Sequence, residues 1–134
     1  MMSRVLVLIL ALAAPACTGP TPTAPDAPAR QQVTLAPGQS AAITGSPFVL
    51  RFERVENDSR CPGDALCLTG GNAILRVSVL TSTASQAYEL HTGSMRPFVY
   101  DAWTVSLVQL VPYPFSSLPA IEPADYRATL LVTR

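Results

Sequence analysis

The chain has 134 residues, 49% of them apolar and only 13% charged, with a formal net charge of zero. That is enough for one domain with a real core and too little for two. The basic residues, all arginine, form no run or stripe, so the electrostatic footprint of a nucleic-acid binder is missing and nucleic acid is excluded as a partner.

Residues 1–16 read as a signal peptide. Met1 to Arg4 is a short positive start, and Val5 to Ala13 is an apolar run of nine, too short for a permanent membrane span. A buried N-terminal helix is the competing reading, but nothing amphipathic follows for it to pack with. Ala14-Pro15-Ala16 satisfies the small-residue rule for cleavage before Cys17. A cysteine directly after the cut also resembles the lipobox of bacterial lipoproteins, although that motif usually carries an aliphatic residue such as leucine where this chain has Ala14. The resemblance implies a diacylglyceryl group on Cys17 and the membrane as a partner. It would also leave the other two cysteines as an even pair. Secretion after cleavage at the same bond is the alternative.

Residues 17–30 read as a tether. Thr18 to Arg30 is rich in Thr, Pro and Ala and has almost no large apolar groups, so it cannot offset its own ordering entropy. Stretched at about 3.1 Å per residue, it would lift a domain on the order of 40 Å from a membrane.

Residues 31–134 read as the domain, in period two throughout. Val33 and Leu35 alternate with Gln32 and Thr34, Pro37-Gly38 turns the chain, and Ser40 to Thr44 reads as the return strand of a hairpin. Phe48 to Val55 places Phe48, Leu50 and Phe52 on one face, with a bulge or strand end at Arg54-Val55. Asn72 to Thr81 turns Ala73, Leu75, Val77 and Val79 inward. Gln86 to His91 is shorter, with Tyr88 and Leu90 together, and Thr92 to Pro97 is a loop. Ala102 to Val111 groups Trp103, Val105 and Leu107. Pro112 to Pro123 carries four prolines and must be an irregular surface loop. Asp125 to Thr133 aligns Tyr126, Ala128, Leu130 and Val132. The expected fold is all-β, a single antiparallel β-sandwich of about seven strands.

Asn57 to Gly71 interrupts this pattern with Cys61 and Cys67, a Pro62-Gly63 turn and Gly70-Gly71. In an exported chain the two cysteines are expected to form a disulfide that pins the loop. Closing so small a loop is worth about 2.4 kcal/mol in the chain-entropy estimate. The spacing is not that of a C-x-x-C redox pair, and a metal site would need more ligands than His91, the sole histidine, can supply.

The run Asn57-Asp58-Ser59-Arg60-Cys61-Pro62, followed by Cys67, resembles a family of small exported bacterial proteins, many of them lipoproteins. Its members carry a DSRCP segment, a second cysteine a few residues on, and usually a Trp-Ala-Gly run before an Asn-Ala strand. Pro112-Tyr113-Pro114 and the stretch from Ile121 to Ala128 are similar too, so the resemblance covers most of Val33 to Val132. It departs at Leu68-Thr69-Gly70, where the family's aromatic residue is missing. The resemblance implies an envelope location and one compact domain; it implies no reaction.

The function expected is that of a tethered, non-catalytic envelope module, with no cofactor, that binds an envelope protein or a small ligand. Its candidate surfaces are the cysteine loop, with Asp58, Arg60 and Asp64, and the Pro112 to Pro123 loop. The plainer alternative is a disulfide that only staples the loop, with Asp58 and Arg60 bonding nearby backbone. Thr69-Gly70-Gly71 and Arg96-Pro97-Phe98 are similar to loops of chagasin-type cysteine-peptidase inhibitors, whose Asn-Pro-Thr-Thr-Gly loop this chain lacks. An enzyme would have to use His91, which falls in a strand, and no serine lies in a G-x-S-x-G context. Glu56, Asn57, Asp58 and Asp64 are oxygen ligands of the kind calcium takes, but without the EF-hand spacing.

Overall fold

Alternating apolar and polar side chains give a strand one oily face, and such faces are buried by stacking two sheets. In the computed structural model, which describes residues 29–134, eight strands do this. The segment read as a signal peptide, Cys17 and the segment read as a tether, as far as residue 28, lie outside the described residues. One sheet has the order β1 (Arg30–Leu35), β8 (Arg127–Thr133), β7 (Trp103–Val111), β6 (Phe98–Tyr100). The other has the order β2 (Ser40–Ala42), β3 (Val49–Asp58), β4 (Ala73–Leu80), β5 (Ser85–His91). Every neighbouring pair is antiparallel, so the fold is a β-sandwich. A single 3-10 turn, Pro123–Asp125, precedes β8.

The core lies between the sheets. Leu50, Phe52, Leu75, Val77 and Leu90 meet Val105, Leu130 and Val132, all of them fully buried. Each contributes on the order of 2 kcal/mol relative to exposure. The inward residues read from alternation in β4, β7 and β8 are all buried. In β3 the register slips at Glu53 and again at Glu56, close to where the sequence loses phase. A third slip, at Val108 of β7, turns Leu110 rather than Gln109 into the core and leaves Val108 outside.

Three details differ from the sequence reading. The first two strands do not form a hairpin: β1 pairs with β8 and β2 with β3, in opposite sheets. Each is short and thinly apolar, and gains more by lying along a long strand whose face is already buried. Together they close one side of the sandwich, where Gln31 Nε2 donates to the Ala42 carbonyl at 3.2 Å and Thr44 N–H donates to Gln31 Oε1 at 2.8 Å. The segment Phe98–Tyr100 is an eighth strand, held by pairing with β7 and by Phe98 stacking on Tyr88 at 4.0 Å between ring centroids. The domain begins slightly earlier than its sequence boundary, because Arg30 already belongs to β1 and Arg134 N–H donates to the Ala29 carbonyl.

The sandwich has two distinct ends. The chain joins at Ala29, beside Thr133 and Trp103, and there Phe48 packs edge-on against Trp103 and Tyr100. At the far end β3 finishes at Asp58, β4 starts at Ala73, and β7 runs out at Val111 opposite Arg127. The cysteine loop and the proline-rich loop both leave the sandwich at that far end.

Candidate functional site

The far end is built upward from Asp58, the last residue of β3. Its carboxylate accepts the Arg60 backbone N–H at 3.2 Å, Arg60 Nε at 2.8 Å and Nη2 at 2.6 Å. The Tyr126 hydroxyl donates to the same carboxylate at 2.9 Å. Arg60 then spans to the other sheet, donating to the carbonyls of Leu110 and Pro112, both at 2.9 Å, with its guanidinium 5.1 Å from the Tyr113 ring centre. Burial pushes the Asp58 carboxyl up, but the hydrogen bonds from Arg60 and Tyr126 outweigh it and hold it below its ordinary value. Burial and the bond to Asp58 push the Tyr126 phenol up to about 12.

Beyond this bolt the cysteine loop stands on a short stem. Ser59 N–H donates to the Asn72 carbonyl at 2.8 Å and Cys61 N–H to the Gly70 carbonyl at 2.9 Å. Cys61 and Cys67 form a disulfide with their Cα atoms 5.9 Å apart. That bond fits an oxidising, extracytoplasmic compartment.

The loop is also fastened to its neighbour. Gly63 N–H donates to the Pro114 carbonyl at 2.9 Å. The Asp64 carboxylate accepts Ser116 N–H at 2.6 Å, Ser116 Oγ at 2.9 Å and Ser117 N–H at 2.9 Å. These bonds from Ser117 and Ser116 hold the Asp64 carboxyl far below the usual carboxylate range. The Phe115 ring lies against Gly63, 2.8 Å from where a Cβ on residue 63 would stand, so a larger residue there would push the ring aside.

The three charged residues read as a binding set are therefore occupied within the protein. Asp58 and Arg60 are turned inward as an ion pair, and Asp64 is a clamp between loops. The oxygen ligands suggested for calcium are likewise separated: Glu56 pairs with Arg54 and Arg76, away from Asp58 and Asp64. Among the described residues no three His, Cys, Asp or Glu side chains group to hold a metal ion. His91 Nδ1 lies 2.9 Å from Asn72 Nδ2 and its Nε2 lies 3.9 Å from Glu89. Phe98, in the loop compared with chagasin-type inhibitors, is buried in β6 rather than offered to a partner.

What the far end does present is apolar. Of the eight exposed large hydrophobics among the described residues, Leu66, Leu68, Tyr113, Phe115 and Leu118 all lie on these two loops. A depression of about 300 Å³ opens between Asp58, Tyr126, Phe115 and Ile121, and another of about 260 Å³ lies beside Tyr113, Leu118 and Asp125. A further depression of about 360 Å³, between Arg30, Thr44 and Trp103, sits at the opposite end where the chain joins. Sequence reasoning missed Tyr126 as the partner of Asp58 and missed the union of the two loops. The spacing of Leu66 and Leu68 around Cys67 was the one legible signal of the exposed tip.

Comparison with protein-family models, with curated proteins and with solved structures finds no match for the chain.

Proposed function

We infer that this protein is an envelope lipoprotein whose β-sandwich is a non-catalytic binding module. A lipid on Cys17 and a tether of the residues between it and Ala29 hold it to the membrane. One observation carries the reading: the two far-end loops, which carry five exposed large apolar side chains, are fastened to each other at the end opposite Ala29, where the chain joins the domain. A tether attached at Ala29 would turn those loops away from the bilayer. Exposed apolar clusters rimmed by polar groups are characteristic of interaction sites. The disulfide, the Asp64 clamp and the Arg60 bolt stiffen the surface, which lowers the ordering cost of binding.

Native mass spectrometry of the protein, purified from its own envelope in mild detergent, tests this. The expected species carries a diacylglyceryl mass on Cys17 and has lost two hydrogens at Cys61 and Cys67. Cys17→Ala should then appear in the soluble fraction. An unlipidated chain beginning at Cys17 would remove the anchor from this reading.

A further inference from the structure

Leu66 and Leu68 project from the cysteine loop with relative exposures of 105% and 106%, so their side chains touch nothing. Cys67, between them, is tied back to Cys61. Leu66 and Leu68 flank this tied-back cysteine, and both leucine side chains stand free of the domain. The backbone N–H and C=O groups of Leu66, Cys67, Leu68 and Thr69 make no hydrogen bond among the described residues. Both flanks are nevertheless fixed, by Cys61 to Gly70 on the stem and by Asp64 to Ser116 and Ser117 on the other loop.

A short rigid segment with free backbone groups and alternate side chains turned outward is the form in which a peptidase cleft receives its substrate. The cleft pairs with the backbone as with an added strand, and one pocket reads the side chain just before the bond to be cut. We propose that Leu66 to Thr69 is a substrate-like inhibitory loop for a serine peptidase with an apolar primary pocket, Leu68 filling that pocket and Thr69 lying beyond the scissile bond. This names the partner of the surface inferred above and rests on its binding role, not on the lipid.

The chemistry explains why such a loop would inhibit rather than be consumed. The peptidase's serine hydroxyl attacks the Leu68 carbonyl carbon, and its proton passes through the peptidase's base to the Thr69 nitrogen as the Leu68–Thr69 bond breaks. Neither product end is released. Leu68 stays tied through the Cys67 disulfide, and Thr69 stays tied through Gly70 and the chain leading into β4. The retained amine attacks the ester, re-forms the peptide bond and returns the proton to the serine oxygen. A membrane is the poorer partner for the same leucines. Arg60 is buried, and Arg127, exposed at the same end, is outnumbered by the exposed Asp64, Glu122 and Asp125, whereas anionic headgroups attract cations.

The test uses the oxidised full chain with chymotrypsin and trypsin as probes. The expected result is inhibition of chymotrypsin with an inhibition constant below ~1 µM, as tight peptidase–inhibitor pairs show. Leu68→Ala should weaken it by roughly 30-fold or more, as loss of a central anchor does, and Leu68→Arg should transfer inhibition to trypsin. Because the Leu68 side chain touches nothing, both variants should keep the parent's circular dichroism spectrum. Absence of chymotrypsin inhibition at ~10 µM, unchanged inhibition by Leu68→Ala, or simple cleavage and release would each overturn the proposal. Inhibition by an unlipidated chain would keep it and remove only the anchor; a lipidated chain that does not inhibit would do the reverse.

Discussion

Arg60 closes on Asp58 as a nearly dry ion pair, Nη2 to Oδ2 at 2.6 Å, with the two side chains only 5% and 11% exposed. The remaining Arg60 donors reach carbonyls on the opposite sheet, so one side chain joins β3 to the end of β7. Arg60→Met leaves the Asp58 carboxylate without its counter-charge, bonded only by Tyr126 and the backbone N–H of residue 60, and should cost about 3–5 kcal/mol. Urea denaturation at neutral pH measures this. Adding Asp58→Asn should recover part of the loss, since it removes the stranded charge. A cost for Arg60→Met below about 1 kcal/mol would mean that the pair is no better than a surface one.

Stability should fall at both extremes of pH, for different groups. Asp58 and Asp64 have folded pKa values below their ordinary 3.8. Their contribution is complete above that value and is lost as pH drops through the folded values. Tyr126 is raised from 10.0 to about 12, so its contribution is complete below pH 10 and is lost as pH rises toward 12. Urea midpoints should hold level near neutrality and decline in both directions. Tyr126→Phe should cost about 1 kcal/mol at neutral pH for the lost hydrogen bond and should flatten the alkaline decline.

Gly71 and Gly70 are adjacent but should respond oppositely to alanine. Gly71 has φ of +69°, and a Cβ there would overlap the Ser59 carbonyl at the base of the stem. Gly71→Ala should cost about 3 kcal/mol or more, from strain and displaced backbone together. Gly70 has open space around it, so Gly70→Ala should stay within about 0.5 kcal/mol. Thermal melting of the two variants decides whether the stem geometry is right.

Replacing Cys61 and Cys67 together by serine should lower stability by about 2.4 kcal/mol, the loop-closure contribution. Native-state hydrogen exchange should speed up at Cys61, whose N–H holds the stem, while the amides of β4 and β8 keep protection close to the global value. Equal loss of protection in loop and core would show the disulfide to be part of the core's own cooperativity.

Much of this was legible from residue order. The alternation in Ala73 to Leu80 and in Arg127 to Thr133 marked the buried faces correctly. Phe98–Tyr100 was missed because three residues are too few to show a period, and only pairing with Trp103–Val105 makes them a strand. Arg60 and Asp58 stood out as a charged pair beside a cysteine. Whether they faced solvent or carbonyls fifty residues away could not be read locally, since Leu110 and Pro112 are brought near by the stacking of the sheets.

By itself, the sequence determined seven of the eight strands, which side of each longer one is oily, and where proline and glycine break the chain. These are local properties, set by backbone sterics and by the polarity of each side chain in turn. The tertiary structure alone decided that β1 and β2 belong to different sheets, that Asp64 binds Ser116 and Ser117, and that two separate loops are fastened to each other opposite Ala29. Strand partners and loop contacts are chosen by competition among distant segments for buried area and hydrogen bonds, and that competition is settled only when the whole chain is folded.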